Sequence, residues 1–171
     1  MRNKRDDITL KLVQSAMFCA LVFVATMISI PTPSVGNVNL GDSMLIVCAC
    51  YFGGIYSIIA CALGATLSDL LGGYAIYAPG TFIIKAIMVS IILLLRDFVF
   101  KSEKIISIIL SAVVAELFMV IGYFIYESLI LGYGRGAIVN TPFNIVQAIM
   151  NITLSGTLYP FLKKSGMYKD F

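Results

Sequence analysis

The chain has 171 residues, 60% of them hydrophobic and 12% charged, with a net charge of +3 and a mean hydropathy of +0.97. A soluble domain carries about 25% charged residues, so half of the usual solvating surface is missing, and the basic residues form no basic face with interleaved aromatics that would take nucleic acid. There is no histidine and no tryptophan, which removes Ser-His and Cys-His nucleophilic pairs, His-ligated zinc and His-based proton relays.

The first predicted element covers residues 9–30. Its apolar run from Leu12 to Ile30 is about nineteen residues, longer than a signal-peptide core, and no A-x-A cleavage site follows. It is read as a retained helix able to span a hydrocarbon core of about 30 Å. Pro31 and Pro33 end it. The remaining predicted helices cover 42–52, 54–72, 80–96, 104–130 and 141–162. They are separated by Gly53-Gly54, Gly72-Gly73, the charged stretch from Arg96 to Lys104, and Gly132 to Gly136. The four cysteines, Cys19, Cys48, Cys50 and Cys61, all lie inside apolar runs and read as small buried hydrophobes.

Charge distribution decides whether 42–72 is one helix or two. With six spans and an inside N-terminus, Arg2, Lys4, Arg5, Lys11, Arg96, Lys101, Lys104, Lys163, Lys164 and Lys169 all fall inside. Only Arg135 lies outside, and Lys85 sits within a span, which accounts for the twelve basic residues. A single helix over 42–72 would move Arg96, Lys101 and Lys104 outside, against the positive-inside tendency. The expected architecture is an all-α integral membrane protein: one compact six-helix bundle over residues 1–171 with both termini cytoplasmic. Its second helix, about eleven residues long, is expected to enter from a loop folded into the protein rather than to cross fully.

Small residues predict close helix packing. Ala60, Gly64, Ser68 and Gly72 recur every four residues on the third helix, and Ala16 and Ala20 form a second pair on the first. Such stripes let backbones approach where no hydrophobic effect drives association. The first suits internal packing; the second suits either internal packing or a partner.

Charge within a bilayer is costly, by about 2.5–3.5 kcal/mol on insertion scales, so each polar span residue needs a reason. Asp42 and Asp69 fall at the outer ends of the second and third helices, and Lys85 falls about one and a half turns below the outer surface. On the fifth helix Glu116, Tyr123 and Glu127 share a face at spacings of seven and four; on the sixth, Asn144, Gln147 and Asn151 share one at spacings of three and four. Nearly all of these groups therefore gather in the outer half. They either satisfy one another, with Lys85 pairing to Glu116 or Asp69, or line a site for a solute with ring nitrogens and hydroxyls. No G-x-x-x-x-G-K-[ST] loop is present, so the chain has no such route to ATP. No paired broken helices mark an alternating-access carrier.

Several segments resemble the S components of energy-coupling factor (ECF) transporters. These are Val38-Asn39-Leu40-Gly41-Asp42, Tyr51-Phe52-Gly53-Gly54, Gly64 to Asp69 followed by Leu70-Leu71-Gly72-Gly73-Tyr74, and Pro79-Gly80-Thr81-Phe82-Ile83-Ile84-Lys85. Ala115-Glu116 through Gly122-Tyr123 and Asn144-Ile145-Val146-Gln147 continue the likeness, which covers nearly the whole chain. The resemblance implies a six-helix vitamin-binding subunit of a prokaryotic membrane, working with a transmembrane T component and two cytosolic ATPases and needing no cofactor. It implies that Ala16 and Ala20 meet the T component and that the loop from Pro31 to Gly41, with Asn37 and Asn39, closes over the ligand. It further implies contacts from helices four to six: Thr81, Lys85, Glu116, Tyr123, Glu127, Asn144, Gln147 and Asn151. Without Trp or His, the aromatic walls would be Tyr74, Tyr77, Tyr123, Tyr126 and Tyr133, which disfavours thiamine. The expected ligand is pyridoxine-like, hydroxymethylpyrimidine-like or riboflavin. The alternatives are a stand-alone carrier using Glu116 and Lys85 as a coupling pair, and an intramembrane enzyme, for which no nucleophile–base arrangement is present.

Overall fold

A computed structural model describes residues 4–32, 36–102 and 104–164. Arg2, Lys169 and Pro33, which entered the sequence reading, lie outside the described residues. Helix α1 (Lys4–Met27) ends three residues before the apolar pattern does. Instead of continuing to Ile30, the chain forms strand β1 (Ser29–Pro31), antiparallel to β2 (Asn37–Asn39), with Ser29 opposite Asn39 and Pro31 opposite Asn37. Pro31 is the reason: it has no N–H to give a helix, and it biases the residue before it toward extended backbone.

Helices α2 (Gly41–Tyr51) and α3 (Gly54–Leu71) are separate. Gly53 and Gly54 between them both have φ of 64°, a conformation open to glycine and strained for other residues. At eleven residues α2 is about 16 Å long, half of a hydrocarbon core of about 30 Å. Nine of those eleven residues are buried, so α2 is a plug inside the bundle rather than a lipid-facing span. The carbonyls of Ala49 and Cys50 near its C-terminal end accept hydrogen bonds from Arg96 Nη1 at 2.9 and 2.8 Å, satisfying groups that a helix end leaves open.

Helix α4 (Ala78–Leu94) carries Pro79 in its first turn, where the missing N–H costs nothing, and runs on as a π-helical turn over Leu95–Phe100. Helix α5 (Ile105–Ile125) also ends in a π-helical turn, Tyr126–Ile130. A 3₁₀ turn over Gly134–Val139 leads into α6 (Thr141–Lys164). Among the described residues, five of the six α-helices are long and apolar enough to cross a membrane, α2 being the short one. This is a multi-pass membrane protein whose outward face is apolar.

The stripe on α3 explains how α1 packs. A Cβ added at Gly64 would stand 2.5 Å from the Cys19 carbonyl oxygen and 3.2 Å from the Phe23 backbone nitrogen. The two backbones are therefore nearly in contact, and Ala60, Gly64 and Ser68 are all buried there. Ala16 and Ala20 occupy the opposite, exposed face of α1, among Leu12, Val13, Met17 and Leu21.

Candidate ligand-binding site

At one end of the bundle the ends of α3 and α5, the starts of α4 and α6, and the β1–β2 hairpin surround a small polar cavity. The hairpin forms its roof through Thr32, Gly36, Asn37 and Asn39. Residues 33–35 of the loop expected to close over a ligand lie outside the described residues. Asp69, Tyr74, Tyr77 and Thr81 line it from α3, α4 and the turn between them, and Tyr123, Glu127, Asn140, Phe143, Asn144 and Gln147 from α5, α6 and the turns between those. Its volume of about 40 Å³ holds about three waters, so a ring-sized solute would have to displace the roof.

The roof is held by α6. Gln147 Oε1 accepts from the Asn39 backbone N–H at 3.0 Å, and Asn151 Nδ2 donates to the Asn39 carbonyl at 2.9 Å. Asn151 Oδ1 also accepts from the Ser43 N–H at 3.0 Å, at the start of α2. Asn39 itself bonds Asn37 Oδ1 and accepts from the Gly41 N–H. The amide stripe read from spacing is thus a clamp in its deeper two members. Asn144, one turn nearer the roof, lines the cavity and makes no side-chain hydrogen bond among the described residues.

Beneath the cavity lies the ionic floor. Lys85 Nζ donates to Asp42 Oδ1 at 2.6 Å, and Gln147 Nε2 donates to Asp42 Oδ2 at 2.9 Å. Lys85 pairs with Asp42, where the sequence pointed to Glu116 or Asp69. Spacing along a helix cannot show that α2, plugged into the bundle, brings Asp42 across. Lys85 Nζ also stands 5.3 Å from the Tyr123 ring centroid, within cation–π range. Glu116 is fully buried, interacts electrostatically with Asp42 and Lys85, and neither carboxylate oxygen has a hydrogen-bond partner among the described residues. Lys85, Glu116 and Asn151 are not part of the cavity lining; each lies one or two turns deeper on its helix than a residue that is.

The side wall is a second chain of bonds. Thr81 Oγ1 donates to Asp69 Oδ2 and lies 3.0 Å from the Tyr123 hydroxyl. Because Thr81 has one proton and gives it to Asp69, Tyr123 is the donor in the second bond. Glu127 Oε1 accepts from Tyr77 Oη at 3.2 Å and from Asn140 Nδ2 at 2.9 Å. Burial raises the Tyr77 hydroxyl above its ordinary range, and the Glu127 carboxylate pushes the same way, so Tyr77 stays a donor. Tyr77 and Tyr123 pack with ring centroids 6.4 Å apart.

Asn140, Phe143, Thr32 and Gly36 also line the cavity without having been singled out from the sequence. Asn140 did leave a signal: it stands four residues before Asn144 and extends the polar stripe backward. Thr32 and Gly36 left none, because their place depends on the hairpin register. Among the described residues no cluster of His, Cys, Asp or Glu could hold a metal ion. At the opposite end an open depression is lined by Cys50, Tyr51, Phe52, Arg96, Asp97, Lys101 and Ser102. There the guanidinium is already bound to the carbonyls ending α2.

The family described as ECF-type riboflavin transporter, S component, matches residues 7–164. A Pyrococcus woesei protein described only as uncharacterized, in a gap 3′ region, is 32% identical over 146 residues, covering 85% of this chain and 95% of that protein. A solved structure, described as the S component of a bacterial ECF transporter, is similar in fold. It has a TM-score of 0.68 at 24% identity and covers 93% of this chain and 98% of the other.

Proposed function

Starting from the fact that the chain belongs to the family of ECF-type riboflavin transporter S components, we propose that it captures a small B-vitamin or vitamin precursor from outside the cell. The ligand would be pyridoxine-like, hydroxymethylpyrimidine-like or riboflavin, delivered inward with a T component and two ATPases. The observation that carries this reading is the concentration of amides, hydroxyls and carboxylates around one cavity under a hairpin roof, at one end of an otherwise apolar bundle. Burying such groups in a membrane protein is unfavourable unless they pair or meet a solute. Asn37, Asn39, Thr81, Tyr123, Glu127, Asn144 and Gln147 are proposed to touch or shape the ligand. Lys85 and Glu116 act beneath them as the floor, and Asn151 holds the roof through the Asn39 carbonyl. The exposed Ala16–Ala20 face of α1 is proposed to meet the T component. Positive charge at the opposite end supports a cytoplasmic position for both termini.

The test is to purify the protein with its T component and ATPases from cells grown without added vitamins, then identify the released ligand by mass spectrometry. A pyridine, pyrimidine or flavin compound is expected, and bulky residues at Ala16 and Ala20 should abolish copurification while leaving that ligand bound. Transport by the chain alone, persisting when the ATPases are deleted, would overturn the proposal. The carrier reading has less support, because its Lys85 is bonded to Asp42 rather than to Glu116.

A further inference from the structure

The capture reading leaves open which chemistry the cavity selects, and Glu127 bears on that. Its side chain is 3% exposed and belongs to the cavity lining. Tyr77 and Asn140 both donate to Oε1, which fixes the carboxylate from one side. Oε2 is buried and has no hydrogen-bond partner among the described residues. A buried acceptor left without a donor is costly, and the carboxylate that carries this one belongs to the cavity lining.

The charges around it narrow the occupant further. Asp69 supplies a second carboxylate to the lining, and neither lysine nor arginine is among the residues of that lining. The nearby ammonium, Lys85, is bonded to Asp42 beneath the floor. A phosphate or carboxylate entering here would meet two carboxylates with no cation to pair with, whereas an N–H donor or a cation would be attracted.

Building on the capture reading, the geometry points to Glu127 Oε2 as the acceptor for an N–H donor on the ligand. That donor is an exocyclic amine, a protonated ring nitrogen or a ring imide N–H, on a neutral or cationic ring compound. Tyr77 and Asn140 are positioning residues that aim the carboxylate. The site accepts the free vitamin-like base and rejects its phosphate ester.

The experiment is calorimetric titration of the purified, ligand-free protein with 4-amino-5-hydroxymethyl-2-methylpyrimidine, pyridoxamine and riboflavin, each beside its monophosphate. The tightest-binding parent compound should bind at least tenfold better than its ester. Glu127→Gln turns an amide N–H₂ toward the ligand donor and should weaken that parent at least tenfold. Its remaining oxygen keeps the bonds to Tyr77 and Asn140, so the melting temperature should stay within a few degrees. The comparison of parent with ester uses only the wild-type chain and stands even if the variant does not fold. A discrimination below tenfold in the wild type, or a folded Glu127→Gln that binds within tenfold of wild type, overturns the inference. So does failure of all six compounds to bind. Copurification with the T component, scored on the same preparation, separates that last result from failure of the capture reading.

Discussion

Asn144 and Gln147 lie three residues apart on the same face of α6, yet their surroundings assign them different work. Both hydrogen-bonding ends of Gln147 are occupied, by the Asn39 N–H and by Asp42. The Asn144 amide faces the cavity without a side-chain partner among the described residues. Asn144→Ala is therefore expected to weaken binding of the copurified ligand by about 1–3 kcal/mol, the cost of one buried hydrogen-bonding group, with an unchanged melting temperature. Gln147→Ala should cost binding as well, and it should also lower folding stability by about 1–3 kcal/mol, because it strands the Asn39 N–H and one oxygen of Asp42. Calorimetry and thermal unfolding in detergent, measured on both variants, decide it. Equal melting temperatures would show that Gln147 does not hold the roof.

At the scale of the helix, glycine placement separates packing from mere permissiveness. A Cβ at Gly64 would meet the α1 backbone 2.5 Å away, whereas a Cβ at Gly136 would meet nothing within 4 Å. Gly64→Ala must push α1 from α3 and is expected to destabilise by about 1–3 kcal/mol. Gly136→Ala should be neutral or stabilising by up to about 1 kcal/mol through the unfolded chain. Thermal unfolding that ranks the two variants alike would remove close α1–α3 contact as the reason for the small-residue stripe. This stripe, like the break at Gly53-Gly54, was legible in the sequence because period and glycine chemistry are local. The hairpin was not. The run to Ile30 is apolar throughout, and only the pairing of Ser29–Pro31 with Asn37–Asn39 shows why the helix stops. Likewise the sequence placed Asp42 and Lys85 at suitable depths but did not join them. Their partnership depends on how a plugged eleven-residue helix is rotated, which is a property of the packed bundle.

For the molecule as a whole, asymmetry along the bundle axis is the feature that every functional statement uses. The cavity, the hairpin and Arg135 share one end; Arg96, Lys101, Lys104, Lys163 and Lys164 share the other. Positive residues remain preferentially on the cytoplasmic side of a membrane, so this distribution predicts a cavity that opens outward, where a scarce solute would arrive. Had the cavity lain among the lysines, the same side chains would suit a binder of cytosolic metabolites. Arg135 and Lys101 are both exposed, and Cys48, Cys50 and Cys61 are buried, so single introduced cysteines can report sidedness against a low background. With Cys19 replaced by alanine, Arg135→Cys is expected to react with a membrane-impermeant maleimide in intact cells. Lys101→Cys should react only after the membrane is opened. The reverse pattern would put the cavity on the cytoplasmic side, and uptake from outside would then need a different entrance.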